Sequence, residues 1–226
     1  EPVLAMYDRI LKTIPQIAVT TPINAELAKL ALNCAVSSKI HFANQLARVV
    51  EKIPGADVDA ITDIIGADRR IGRAYLRAGI MYGGPCFPRD VEALATLPGA
   101  VWFSKLARHN EDSLIALRDM VKATSGTIGI LGMSYKVGSK VRDCAVGDIL
   151  FDDLSSRGRT VIDDSTTPTE DVIRNSDVVI VALPDEAYRA MPLEVWTTKP
   201  HVVFDCWRIL RTLSAVNGIQ YIPVGI

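Results

Sequence analysis

Little in this chain points towards a metal, a membrane or a polyanion. It has three histidines (His41, His109, His201) and four cysteines (Cys34, Cys86, Cys144, Cys206) in 226 residues. The histidines fit no metal spacing, and the absence of any CxxC pair leaves structural zinc without a ligand set. The cysteines lie far apart, which suits reduced thiols of a cytoplasmic protein better than the staples of a secreted scaffold. No apolar run reaches the ~20 residues that span a bilayer, and no signal peptide is recognisable. A net charge of -1 gives neither nucleic acid nor an anionic membrane a reason to bind. The basic residues are scattered, so any anion they hold should be small. Aromatics are scarce and the remaining composition is ordinary for a globular protein, with room for one large domain or two modest ones. The chain opens Glu1-Pro2 without a methionine, as expected of a processed chain or one cut from something longer.

What is present divides near residues 122–126. Residues 2–14 read as the end of a helix, with Leu4, Ile10 and Leu11 on one side, and Gln16–Thr20 as an extended piece after Pro15. Asn24 is expected to cap a long helix whose apolar positions recur at helical spacing from Leu27 to Val50, until Pro54-Gly55 ends it. Further helices are expected over Val58–Ile65, Arg69–Leu76, the stretch after Cys86 and a single run from Trp102 to Lys122. After Ser125-Gly126 the pattern changes to short Val- and Ile-rich runs: 127–131, 160–162, 177–183, 201–204 and 220–222. Helical segments over Val146–Leu154, Glu170–Arg174 and Leu210–Val216 lie between them. Such runs, buried on both faces, indicate a parallel doubly wound sheet. The fold expected is α/β: an all-helical central unit over 23–123, then a Rossmann-like sheet domain over 124–226, with 1–22 as the tail of a preceding domain.

The most informative stretch is Tyr82-Gly83-Gly84-Pro85-Cys86-Phe87-Pro88-Arg89-Asp90. Two glycines allow close approach by backbone or ligand. Pro88 and Asp90 suit the first turn of a helix. A helix N-terminus can lower a thiol pKa from ~8.5 towards ~7, which would make Cys86 a nucleophile at neutral pH. Glu26, Lys29 and Asn33 share one face of the long helix. Glu26 and Lys29 read as a surface ion pair, or Lys29 as an oxyanion stabiliser with Asn33 orienting a water or hydroxyl. Gly129-Ile-Leu-Gly132 is only a fragment of a dinucleotide fingerprint. The segment that follows adds Tyr135, able to stack on a base, and the cations Lys136 and Arg142 at the sheet's carboxyl edge.

Four motifs in order, Glu26 to Asn33, Asp68-Arg-Arg70-Ile71-Gly72, Gly83-Gly84-x-Cys86-Phe-Pro-x-Asp90 and Leu131-Gly-x-x-Tyr135-Lys136 through Arg142, resemble those of the UDP-glucose/GDP-mannose dehydrogenase family. Arg70-Ile71-Gly72 and Phe87-Pro88 favour its UDP-glucose branch. The resemblance covers nearly the whole chain and implies the family's central and C-terminal domains. It implies oxidation of UDP-glucose to UDP-glucuronate with two NAD, through a thiohemiacetal and then a thioester on Cys86. Lys29 would stabilise oxyanions, while Asn33 and Asp90 would position or activate water. Arg77, Tyr82 and Gly83 would wrap the sugar and phosphates, Tyr135 and Lys136 would hold the nucleotide, and Arg89 and Arg142 would contact NAD. Arg70 would reach into the partner's site within a homodimer built on the central helices.

The chain departs from this pattern in several places. Pro85 stands for the usual Ser and Arg89 for Lys, and the loop from Lys136 to Arg142 is a residue short. The family's Asp-x-Arg becomes Asp205-Cys206-Trp207-Arg208, displacing the substrate-binding cation to Arg208 or losing it. Without the nicotinamide domain no turnover is expected from this stretch alone. The alternatives are a non-catalytic UDP-sugar-binding and dimerisation module, a GDP-mannose-type enzyme, or a hydroxyacid or 6-phosphogluconate-type dehydrogenase.

Overall fold

The computed structural model describes residues 2–13, 16–199 and 201–225, with the side chains of 2, 4, 5 and 8 also outside the description. Ile14, Pro15 and the Leu4 side chain named above therefore fall outside it. Helix α1 covers Pro2–Ile10, and residues 16–20 carry no regular structure. Helix α2, Pro22–Val50, begins before Asn24. Thr21 is its N-cap and accepts from the Asn24 N–H at 3.4 Å, with Pro22 in the first turn. The proline moves the start upstream, since its fixed φ suits a first helical turn and its missing N–H costs nothing there.

Helix α3 is Val58–Gly66 and α4 is Phe87–Ala95. Two expectations here are corrected. Residues 69–76 form turns instead of a helix, tied by Lys39 Nζ donating to the carbonyls of Ile71 (2.9 Å) and Gly72 (3.0 Å). The run from Trp102 to Lys122 is two helices, α5 (Val101–Arg108) and α6 (Asp112–Lys122). The break at 109–111 frees the Asn110 side chain for a structural role described below.

The strands are β1 (Ile128–Leu131), β2 (Val161–Asp163), β3 (Val178–Val181), β4 (His201–Asp205) and β5 (Ile219–Pro223), all parallel, in the order β2-β1-β3-β4-β5. Helices α7 (Val146–Ser156) and α8 (Thr169–Asn175) connect them. Two short helices that periodicity did not reveal, α9 (Glu186–Arg189) and α10 (Leu193–Trp196), fill the connection to β4. The segment expected to be helical before β5 is a 3-10 turn, Arg211–Ala215.

Alternation along the strands assigns the two faces. Ile128, Ile130, Val178, Ile180 and Phe204 point to one side, joining Leu114, Leu117 and Val121 of α6, Leu150 and Leu154 of α7, and Ala43, Ala47 and Val50 of α2. Leu131, Val179, Val181 and Val203 point to the other, against Val172 and Ile173 of α8 and Trp196 of α10. The first cluster therefore runs unbroken from the helices into the sheet, and α6 packs as a covering layer of that sheet although it precedes β1 in sequence. No described helix is long and apolar enough to cross a membrane.

Candidate active site

Cys86 is the N-cap residue of α4 and is exposed. Its carbonyl accepts the Asp90 N–H at 2.9 Å, closing the first turn. The Asp90 side chain, only 2% exposed, is the hub of the cluster. Lys29 Nζ donates to Asp90 Oδ2 at 3.3 Å and Asn33 Nδ2 to the same oxygen at 2.5 Å, both from α2, while Arg89 Nε donates to Oδ1 at 2.9 Å. Burial opposes ionisation of Asp90, but hydrogen bonds from Arg89, Asn33 and Lys29 outweigh it and hold the carboxyl below the usual range. Lys29 thus turns to Asp90, so of its two readings the surface pair with Glu26 is not formed. Three residues recognised by motif, Lys29, Asn33 and Asp90, meet where α2 crosses the start of α4, one helical turn after Cys86.

Cys34 is buried beneath this cluster, with burial first and then the Asp90 charge pushing its thiol up. Burial also raises Cys206, and burial followed by Asp143 raises Cys144.

The two glycines before Cys86 serve the close approach their type suggested, and what approaches is the protein itself. Gly83 lies against the Cys144 carbonyl, and Gly84 donates its N–H to the Asp143 carbonyl at 2.8 Å. Gly84 has φ +83°, and a Cβ there would meet the Tyr135 ring at 2.5 Å. Gly84→Ala should therefore cost about 1–3 kcal/mol from the left-handed backbone and the clash, read as a lower denaturant midpoint. An unchanged midpoint would contradict this packing.

Beside this seam opens a cleft of about 440 Å3, with Tyr75, Arg77, Phe87, Tyr135, Lys136 and Trp207 among its walls. It is lined by both halves of the motif set, with Gly83 and Phe87 on either side of Cys86 in sequence, although Cys86 itself does not line it. Lys136 Nζ lies 5.4 Å over the Tyr135 ring, and the Arg77 guanidinium lies 5.8 Å over Trp207.

The segment from Arg77 to Gly83 has no helix or strand, yet side chains satisfy several of its buried backbone groups. Asn44 of α2 accepts from the Gly79 N–H (2.8 Å) and donates to the Ile80 carbonyl (3.1 Å). Asn110 accepts from the Tyr82 N–H (3.1 Å) and donates to the Tyr82 carbonyl (2.8 Å). Each amide replaces one rung of a missing strand. Nothing in the local sequence marks these asparagines, whose partners lie some thirty residues away.

Several expected ligand residues are otherwise engaged. Tyr82 is buried, its hydroxyl donates to the Leu106 carbonyl, and burial pushes its pKa up, so only its ring and backbone border the cleft. Arg208 is a correction. Its guanidinium is fully buried and donates to Asp59 Oδ2 (2.9 Å) and Oδ1 (2.8 Å), and to the carbonyls of Val224 (2.7 Å) and Ala78 (2.8 Å). With φ +57° its backbone turns the side chain inward, and Trp207 faces the cleft in its place. Arg70 is exposed and paired with Asp68 at 2.6 Å. Arg142 lies away from this cleft, paired with Asp148 at 3.0 Å on the wall of a second crevice of about 490 Å3 at the sheet's carboxyl edge. There the Gly132 N–H is taken by Asp164 Oδ1 at 3.0 Å, so a carboxylate fills the position where a dinucleotide phosphate would sit. Arg89 and Arg142 are each paired with a carboxylate, Asp90 and Asp148. Among the described residues no group of three or more His, Cys, Asp or Glu could hold a metal.

Residues 23–102 match the model of the UDP-glucose/GDP-mannose dehydrogenase family, central domain. Two UDP-glucose 6-dehydrogenases of Bacillus subtilis are similar. One is 29% identical over 89% of this chain and 52% of its own length. The other is 35% identical over 56% of this chain and 30% of its own. Among solved structures, a UDP-glucose dehydrogenase from Pyrobaculum islandicum superposes with a TM-score of 0.80 at 23% identity, covering 99% of this chain and 55% of that one. A UDP-D-ManNAc dehydrogenase from Pyrococcus horikoshii superposes with a TM-score of 0.82 at 19% identity, covering 99% and 56%. At those identities the likeness shows the fold. The chain spans about half the length, or less, of these curated relatives.

Proposed function

We infer the function from one premise: the chain belongs to the UDP-glucose/GDP-mannose dehydrogenase family. We propose that it is the substrate-binding and nucleophile-bearing part of a nucleotide-sugar 6-dehydrogenase that converts UDP-glucose to UDP-glucuronate. Residues 23–123 form its central unit and 124–226 its UDP-sugar unit, with 1–22 the tail of a preceding domain. The single observation that carries this reading is the Asp90 hub, which holds Lys29 and Asn33 and itself stands one helical turn after Cys86.

The Cys86 thiolate adds to the C6 aldehyde of the sugar, forming a C–S bond as the carbonyl π pair moves onto oxygen. Covalent capture keeps the aldehyde from escaping. The Lys29 ammonium donates to the resulting oxyanion, and its reach is set by Asp90. At the thioester stage Asn33 and Asp90 orient the water that releases the acid and returns the sulfur. NAD, when bound to the whole protein, supplies the hydride acceptor for the two oxidations. Arg89 and Arg142 would contact it, and we assign the rest of its site to protein beyond this stretch, so turnover by the chain alone is not expected. The exposed apolar side chains of Leu32, Phe42 and Val49 on α2 support a homodimer through the central helices, with Arg70 reaching across it. The free thiols suit a cytoplasmic location.

Two measurements on this chain test the reading. Titration calorimetry should give tighter binding of UDP-glucose than of GDP-mannose, and a GDP preference would overturn the substrate. Iodoacetamide labelling of Cys86, followed by peptide mass, should slow several-fold when UDP-glucose is bound. Labelling indifferent to bound UDP-glucose would overturn the nucleophile's role.

A further inference from the structure

The cleft contains two cations that lie over aromatic rings, Lys136 over Tyr135 and Arg77 over Trp207, and the second pair is built with unusual rigidity. Trp207 is fixed at three points. Its backbone N–H donates to Asp205 Oδ1 at 3.1 Å, and its indole N–H donates to the Ala182 carbonyl at 2.9 Å. The far edge of its ring rests where a Cβ on Gly79 would come within 2.8 Å. Asp205 is itself buried and held by the Leu210 N–H (2.7 Å) and the Tyr221 hydroxyl (2.9 Å). The ring therefore has one orientation.

Arg77 is exposed and long, and a free arginine side chain gives up about 2 kcal/mol of rotamer entropy when a ligand fixes it. Here it is ordered beforehand: its face lies over the indole at 5.8 Å, and Nη2 donates to the Trp207 carbonyl at 3.2 Å. Among the described residues its remaining N–H groups have no protein acceptor and no carboxylate neutralises it. A planar donor edge held in place and left unpaired suits a phosphate oxygen pair.

We propose that Trp207 is a positioning residue of the cleft: it pre-orients the Arg77 guanidinium for one phosphate of a nucleoside diphosphate, while Lys136 meets the other. This rests on the nucleotide-sugar reading above and adds the residue that arms its phosphate contact. Trp207 acts through Arg77 and needs no contact with the base.

Calorimetry of the 226-residue chain with UDP and with uridine separates the possibilities. Arg77→Met, at an exposed position, should weaken UDP about tenfold, the scale of one charge-assisted phosphate contact. Trp207→Leu should weaken UDP about fivefold and leave uridine within about twofold, since the loss is of cation–aromatic positioning. Trp207→Phe keeps a ring face and the carbonyl and should restore UDP binding to within about twofold of wild type. In the Arg77→Met background, Trp207→Leu should cost nothing further. Equal loss of uridine and UDP in Trp207→Leu, or additive losses in the double variant, would overturn the positioning role while leaving the nucleotide-sugar reading intact. Failure of the wild-type chain to bind either UDP or UDP-glucose would overturn that reading and this proposal together.

Discussion

Asp59→Ala is expected to lower the unfolding free energy by about 3–5 kcal/mol at neutral pH, the cost of stripping a buried ion of its partner. The Arg208 guanidinium has no solvent exposure and Asp59 takes two of its N–H groups. Without Asp59 the cation retains only carbonyl dipoles at Val224, Ala78 and Cys206, which orient it but do not neutralise it. Asp59 also anchors Arg211 at 2.7 Å, and Arg211 in turn binds Asp57. The cluster ties the start of α3 to the loop after β4, so the loss falls on the join between the helices and the sheet.

The pH dependence has a definite sign. Burial alone would raise the Asp59 pKa, yet the hydrogen bonds and charges of Arg208 and Arg211 bring it below the ordinary value. A depressed carboxyl contributes stability above its unfolded pKa of about 3.9 and loses it as pH falls through the folded value. The gap between wild type and Asp59→Ala should therefore be full at pH 7 and shrink below about pH 4. Urea denaturation at several pH values checks both points. A gap below about 1 kcal/mol at pH 7, as for an ordinary exposed ion pair, would mean that Arg208 finds water in solution.

Asn44→Leu should cost about 2–6 kcal/mol, because it orphans two buried backbone groups at about 1–3 kcal/mol each. Leucine is larger than asparagine, so overpacking of this buried site adds to the cost. Among the described residues the Gly79 N–H and Ile80 carbonyl have no other partner, and the segment they belong to carries Arg77 at one end and Gly83 at the other. Affinity for UDP should fall with stability, since the cleft's floor loses its anchor. Denaturant midpoints and calorimetry on one preparation measure both. A variant with native stability would show that this segment is held by its flanking contacts alone.

The cluster around Asp90 was legible in the sequence for a local reason. Lys29 and Asn33 stand one turn apart on a helix, and Cys86 and Asp90 stand one turn apart on another, so each pair shares a face by periodicity alone. Gly84 before Cys86 announced close approach, and its positive φ bears this out. The five strands were legible because Val- and Ile-rich runs buried on both sides have few other uses.

Arg208 was misplaced because its destination depends on one left-handed residue and on a carboxylate 149 positions away. Asn44 and Asn110 were missed for the same reason, since each meets its partner only after α2 and the break between α5 and α6 have been folded against the segment they hold. The expected helix over 69–76 had the composition but yielded to Lys39, which binds the carbonyls of a turn.

By itself, then, the sequence determined which elements form and which side chains share a helical face, because those follow from spacing within one stretch of backbone. Tertiary structure decided which polar groups face the ligand and which are consumed inside, because a buried donor takes whatever acceptor the packed chain brings near. That is why Arg208 was turned into the join between helices and sheet, and Trp207 into the cleft.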